Sequence, residues 1–221
     1  MLTAREQHIL EHVVREYIAN ATPVSSKCVA DSGMIEASPA TIRAVMMYLE
    51  DKGFLRQPHT SAGRLPTQRG YRYFVDHCLI QEDEAHEFVD LHEALRFVSG
   101  RSRLFTAMVN QRAHTVAYYG VETVLQSPEF TDPHCLRMFG RLVDALYSFA
   151  EYYEEELEDA EQTPRVFIER ENPAREAQSL GVVTAPLQDE ATLFFAIGPS
   201  RMDYGSAISA VRAIAENPMW H

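Results

Sequence analysis

The sequence predicts an α+β protein with a small helical head and a larger mixed body, and three observations carry that prediction. Helix-start signals at Thr3, Ser25/Ser26 and Ser38, with stops at Gly33 and Gly53, place three helices in the first 53 residues, and a short hairpin pattern comes next. Beyond Pro164 the apolar residues change from helical spacing to the contiguous runs of strands. Charge divides in the same way. Residues 1–75 hold nine Lys/Arg against seven Asp/Glu, whereas 76–221 hold eleven against twenty-five. The net charge of −12 argues against a generic nucleic-acid binder. Yet Lys52 to Val75 carries five bases (Lys52, Arg56, Arg64, Arg69, Arg72) and no acid. That is the pattern of a small phosphate-facing head on an acidic body that phosphate repels.

The three cysteines, Cys28, Cys78 and Cys135, are odd in number and far apart, so no disulfide framework is expected. No run approaches the ~18 apolar residues of a membrane helix, and the first ten residues lack the hydrophobic block of a signal peptide. A cytoplasmic protein with no membrane association is expected.

In the head, Thr3 and Glu6 have capping-box spacing, in which hydroxyl and carboxylate each satisfy a backbone N–H. Ile9, Leu10, Val13, Val14, Tyr17 and Ile18 recur at helical spacing and predict one amphipathic helix to about Asn20. Pro23 interrupts, and a short second helix runs through Val29 and Ala30. Ser38-Pro39 starts the third, because proline at the first helical position gives up an N–H that has no partner there. Three helices with a short middle one read as a helix-turn-helix.

The third helix divides into two faces. Ile42, Val45, Met46 and Leu49 form the apolar stripe, while Ala40, Arg43, Ala44 and Met47 fall on the far side with Thr41 on its flank and Ser38 at its start. Two alanines bring the backbone close to whatever surface it meets, and one Arg reaches a guanine edge or a phosphate. A solvated face containing small residues reads the same way in isolation. The residues after the helix favour the nucleic-acid reading. Phe54–Gln57 predicts a strand, Thr60–Arg64 a turn and Leu65-Pro66 a returning strand, which is the order of a winged helix. His59, Thr60, Ser61 and Arg64 fall at the hairpin tip, and Gly63 supplies a permissive backbone. Thr67 caps a last helix through Tyr71, Tyr73, Phe74 and Val75, on which Arg69 and Arg72 are candidate phosphate partners.

In the body, a helix is predicted from Asp83 to about Ser99 and a second one from Leu104, Phe105, Met108 and Val109. Thr115–Tyr119 is β-prone, and a long helix begins near Asp132 and runs into the acidic stretch 151–161. That stretch reads as a solvated helix end, with an interaction face as the alternative. Val166–Ile168, Val182–Ala185 and Leu193–Ile197 are strands, Glu171-Asn172-Pro173 opens a helix, and Asp203 caps another over Tyr204–Glu216.

No catalytic site emerges. Ser61 and Ser200 lack a G-x-S-x-G elbow, and neither a P-loop nor a G-x-G-x-x-G is present. His77-Cys78 with His86, and His8 with His12, lack the doubled spacing of a zinc site and sit in amphipathic helices. A metal-sensing reading through His77 and Cys78 would require stoichiometric zinc; no metal or cofactor is expected. Residues 198–203 suit a small anion beside Arg201, or simply a turn that Arg201 braces before Asp203 caps the next helix.

The stretches Ser38-Pro-Ala-Thr-Ile-Arg43, Gln57-Pro-His-Thr-Ser-Ala-Gly-Arg64-Leu-Pro-Thr67 and Gly70-Tyr-Arg-Tyr-Phe-Val-Asp76 resemble the N-terminal winged helix of the heat-inducible transcription repressor HrcA family. The body resembles the same family at Ser127-Pro-Glu-Phe130, Glu171-Asn172-Pro173, Val182-Val-Thr-Ala-Pro186 and Ile197-Gly-Pro-Ser-Arg-Met-Asp-Tyr204, the last being the end of its GAF-like domain. The resemblance covers roughly residues 2–112 and 118–216, around an apparent internal deletion where longer members carry more strands and an inserted domain implicated in dimerisation. It implies a winged helix-turn-helix over 1–76, a helical linker and dimerisation region over 77–112 and a reduced GAF-like α+β domain over 113–221. It further implies a repressor of chaperone genes that binds double-stranded DNA at an inverted-repeat operator, with the chaperonin GroEL as a partner. An inverted repeat needs two heads in twofold relation, hence a homodimer, with the helices of 83–112 and 132–158 as the expected interface. The alternative is a chaperone- or ligand-binding sensor that the deletion has left without autonomous repression.

Overall fold

The computed structural model describes residues 2–59, 62–79, 88, 90–160, 162–189 and 191–217. They form two compact units, Met1–Ile80 and Gln81–His221.

The first unit begins with α1 (Ala4–Asn20), whose capping box forms as its spacing predicts. The Thr3 N–H donates to Glu6 Oε2 at 2.7 Å, and the Glu6 N–H donates to Thr3 Oγ1 at 3.4 Å. Ile9, Leu10, Val13 and Val14 are wholly buried on its inner face. Ser25 caps the short α2 (Ser26–Asp31), and Ser38 caps α3 (Pro39–Asp51). Ile42, Met46 and Leu49 of α3 are wholly buried against α1 and α2. Gly53, at φ +75°, turns the chain out of α3 into β1 (Leu55–Arg56). β1 pairs antiparallel with β2 (Leu65–Pro66), and Thr67 then caps α4 (Gln68–His77). The Thr67 hydroxyl also donates to the Gly53 carbonyl at 2.6 Å, tying the start of α4 to the end of α3.

The connection between α1 and α2 joins this hairpin. Val24 and Arg64 exchange both backbone hydrogen bonds, each 2.8 Å. Gly63 owes its place to that approach. A Cβ there would lie 2.4 Å from the Val24 carbonyl carbon and oxygen, so only glycine lets the two segments come so close.

The second unit is built on a five-stranded antiparallel sheet in the order β4-β3-β7-β6-β5. Its strands are β3 (Phe105–Asn110), β4 (Thr115–Tyr119), β5 (Arg165–Ile168), β6 (Leu180–Pro186) and β7 (Thr192–Pro199). One face, with Phe105, Ala107, Val109, Val182, Phe195 and Ile197, packs on α7 (Pro133–Asp144) and α8 (Leu146–Leu157). Phe149, Tyr153, Phe167 and Phe195 interlock there with ring centroids 5.0–5.4 Å apart. Each such pair contributes about 0.5–1.5 kcal/mol beyond area burial. On the other face lie α5 (Leu91–Ser102) and α9 (Tyr204–Ala215), which also contact each other. α6 (Val121–Leu125) comes directly after β4. The α+β class is therefore observed.

Four sequence expectations in the body are corrected. Residues 104–109 do not start a helix; 105–110 form β3, which lies between β4 and β7. Phe105 to Val109 are all buried, because a strand covered on both faces has no polar alternation to reveal it. The long helix from Asp132 is two helices, broken where Ala145 leaves helical geometry at φ −118°, ψ 29°. Glu171-Asn172-Pro173 opens no α-helix: Glu171 ends one short 3-10 turn, Glu169–Glu171, and Asn172-Pro173 leads toward a second, Arg175–Ala177. There the two N–H groups of the buried Asn172 side chain are shared among the carbonyls of Glu169, Ala177 and Leu180 at 2.9, 3.0 and 3.1 Å, and its oxygen accepts from the Tyr153 hydroxyl at 2.8 Å. The helix expected from Asp83 to about Ser99 begins instead at Leu91, because Asp90 caps it in extended geometry and accepts the Glu93 N–H at 2.8 Å, and it continues through Gly100 to Ser102; residues 83–87 and 89 lie outside the described residues.

Candidate functional site

The open face of α3 is the candidate site, and it arises from the helix's own periodicity. With Ile42, Met46 and Leu49 turned inward, Ser38, Ala40, Thr41, Arg43, Ala44 and Met47 are all exposed. Arg43 has no ion-pair partner among the described residues. Ser38 is engaged locally: its hydroxyl oxygen accepts the Thr41 N–H at 3.2 Å and lies 3.0 Å from Thr41 Oγ1. The six side chains form a low, nearly uncharged ridge with one guanidinium projecting from it.

The β1–β2 hairpin is clamped to this helix by Glu50, in the last turn of α3. Glu50 Oε1 accepts the Gln57 backbone N–H at 3.1 Å, and Oε2 accepts Arg64 Nε at 2.9 Å and Nη2 at 2.8 Å. Gln57 closes the tip by donating to the Ala62 carbonyl at 2.8 Å. One carboxylate thus holds both arms of the hairpin. Sequence reading missed Glu50, although a signal was present. Glu50 and Asp51 are the last acids before a stretch of bases, so any inward-turned cation there has few carboxylates within reach.

Three basic residues expected to face outward are engaged internally. Arg64 is not a tip cation: its side chain is only 12% exposed and points at Glu50. Arg69 is exposed, but its Nη1 donates to the Lys52 carbonyl at 2.9 Å and its guanidinium lies 4.5 Å from the centre of the Phe54 ring. Arg72 pairs with Asp76 at 3.3 Å. Arg64 and Arg69 reach partners that only the fold brings alongside, which a charge map cannot anticipate, whereas Arg72–Asp76 is a pair one helical turn apart on α4. His59 is exposed, and its carbonyl accepts the Ala62 N–H at 2.9 Å. Thr60 and Ser61 lie outside the described residues. Arg56 on β1, not among the expected contacts, is exposed beside its buried neighbour Leu55.

The remaining candidates are structural. His77 stacks on Tyr73 with centroids 4.2 Å apart, and Cys78 is buried beside Gln7. Desolvation, reinforced by the Glu11 carboxylate, pushes the Cys78 thiol up to about 11. Among the described residues no group of three His, Cys, Asp or Glu side chains is arranged to hold a metal, and His86 lies outside them. Arg201 makes a two-point ion pair with Glu129, joining the 127–130 and 197–204 motifs, while Asp203 caps α9. Among the described residues no helix is long and apolar enough to cross a membrane.

This architecture defines a class: an α+β protein in which a capped helical unit leaves one helix face open, and a separate unit is built on an antiparallel sheet. The chain belongs to the HrcA family, since the model of the HrcA protein C terminal domain matches residues 75–208, more than half its length. Similar proteins include the heat-inducible transcription repressors HrcA of Prosthecochloris aestuarii, 45% identical over 105 residues, and of Desulforudis audaxviator, 52% identical over 83 residues. These matches cover 48% and 38% of this chain but only 28% and 24% of the relatives' length. The fold is also that of a crystal structure of a hypothetical protein, with a TM-score of 0.79 at 18% identity over 97% of both chains.

Proposed function

We propose that the chain is a sequence-specific DNA-binding transcriptional repressor of heat-shock and chaperone genes, acting as a homodimer at an inverted-repeat operator. In this reading residues 1–76 are a winged helix-turn-helix, with α3 as its recognition helix and β1–β2 as its wing. The sheet-containing unit is a reduced GAF-like domain, and GroEL is a partner through the family likeness. The observation that carries the proposal is the open face of α3. Five small, polar or flexible side chains and the Arg43 guanidinium stand opposite a wholly buried stripe, beside a hairpin held in place by Glu50. A helix of this shape enters the major groove, where Ala40 and Ala44 permit close approach and Arg43 reads a base edge.

The contact set narrows accordingly. Arg43, Thr41 and Met47 meet bases, and Arg56 and His59 meet phosphate from the wing. Arg64, Arg69 and Arg72 hold the hairpin and α4 in position. Binding of the full chain to a labelled inverted repeat is measured against scrambled DNA at physiological salt. Preference for the operator supports the reading, and equal affinity for both sequences ends it.

A further inference from the structure

β4 is an outer strand of the sheet. β3 pairs with one of its edges through all five residues, and no described strand pairs with the other. Although α5 and α8 contact it, its side chains stay partly exposed on both faces, with Tyr118 50%, Tyr119 45% and Val116 39% exposed. From Ala113 to Val121 the chain carries no Asp, Glu, Lys or Arg, although residues 76–221 hold twenty-five acids against eleven bases. Proteins ordinarily guard such an edge with charge, proline, a bulge or a covering segment. The register here is unbroken, and the strand, Thr-Val-Ala-Tyr-Tyr, is rich in β-formers. The opposite outer strand, β5, opens with Arg165 directly after Pro164.

We propose that β4 is the pairing edge of a symmetric dimer, in which two copies join their β4 strands antiparallel about a twofold axis into one continuous sheet. Two features select a second copy as the occupant. A twofold axis perpendicular to a sheet sets identical edge strands antiparallel, the sense used by every pair already in this sheet. Two such acidic bodies also repel wherever their charged surfaces meet, and the uncharged stretch around β4 is where they approach without that penalty. A basic partner would find no carboxylate on the strand.

The register that engages all five residues centres on Ala117. It sets Val116 opposite the partner's Tyr118 and Thr115 opposite the partner's Tyr119. Aromatic and β-branched residues facing one another across strands are favourable pairs. Val116 and Tyr118 lie on the face of the sheet that carries Phe105, whose ring centre is 5.8 Å from that of Tyr118. The helices expected to form the interface are less suited to it. Ala94, Leu95 and Val98 of α5, and Phe139, Leu142, Phe149 and Tyr153 of α7 and α8, are already buried within the unit, and the large apolar side chains exposed on these helices, Leu136 and Tyr152, stand singly and not as a continuous strand edge.

This dimer rests on the repressor reading only for its purpose, since it brings two heads into one particle. Its test uses no DNA, so the two proposals fail separately. The full-length chain is studied by sedimentation and light scattering across micromolar concentrations, with folding of each variant checked by circular dichroism. The wild type is expected to be a dimer. Val116→Lys and Tyr118→Glu should each weaken association by at least about tenfold. The double variant should recover it, because the register sets the introduced ammonium of one copy against the introduced carboxylate of the other. A second readout does not depend on weakening anything. Ala117→Cys in a Cys28→Ser background should form a disulfide-linked dimer under mild oxidation, since facing antiparallel Cα atoms lie about 4.5–5.5 Å apart. A monomer at every concentration, a dimer that both single variants leave intact, or a double variant no tighter than the singles overturns the proposal.

Discussion

Arg43 and Arg64 are both arginines of the basic head, and their surroundings assign them different tasks. Arg43 stands in solvent on α3 without an ion-pair partner among the described residues, whereas Arg64 lies against Glu50. On the proposed reading, Arg43→Ala costs about 1–3 kcal/mol of operator affinity and relaxes preference at one base position, as a panel of single-base operator variants would record. Arg64→Ala instead lowers folding stability by about 1–3 kcal/mol, because it removes charge-assisted hydrogen bonds and leaves a half-buried carboxylate without its cation. Urea denaturation checks this, and a cycle with Glu50→Gln isolates the pair. Cys78 supplies a pH signature. With the folded thiol raised from 9.0 to about 11, the unfolded chain loses that proton first. Between about pH 9 and pH 11 the unfolded state therefore binds fewer protons, and stability falls as pH rises through that window. The urea midpoint should decline above pH 9, and less steeply in Cys78→Ala than in the wild type.

At the scale of elements, the hairpin and the β5–β6 connection each hang on one small residue. Gly63→Ala drives a methyl group to within 2.4 Å of the Val24 backbone. The Val24–Arg64 bridge must open, at a cost of about 1–3 kcal/mol of thermal or urea stability. Asn172→Ala leaves the Ala177 and Leu180 carbonyls and the Tyr153 hydroxyl without their buried partner, while the Glu169 carbonyl keeps the residue's backbone N–H, a loss on the order of 3 kcal/mol by the same measurement. Neither role was legible in full. Gly63 read as a flexible turn residue, while its real constraint is the approach of a segment roughly forty residues earlier in the chain. Asn172 read as a helix opener because Asn-Pro is a local start signal, and the amide's four partners are gathered only when β5, α8 and β6 come together. The caps at Thr3, Ser25, Ser38, Thr67 and Asp203 were legible, since a cap and the N–H it satisfies lie two or three residues apart.

For the whole molecule, on the proposed reading, the acidic body and the sparing use of cations in the head would govern how it meets DNA. With Arg64, Arg69 and Arg72 bonded within the head and Arg15 paired with Glu11, Arg5, Lys27, Arg43, Lys52 and Arg56 remain exposed for phosphate or base. If two to four of them reach phosphate, each head contributes a slope of about −2 to −4 to log affinity against log salt, at ~0.9 per phosphate. A titration from low to physiological salt measures it, and a slope near zero would remove phosphate from the interface. The sequence by itself determined the α+β class, the helix starts, the two faces of α3 and the family likeness. Each of these depends on residues within a few positions of one another, where spacing and capping chemistry act without a partner from elsewhere. The strand identity of 105–110, the inward turn of Arg64, the Glu129–Arg201 ion pair and the unguarded edge of β4 were decided only by the tertiary structure. In each case what matters is which distant segment arrives alongside, or fails to, and that depends on long-range packing that no local pattern encodes.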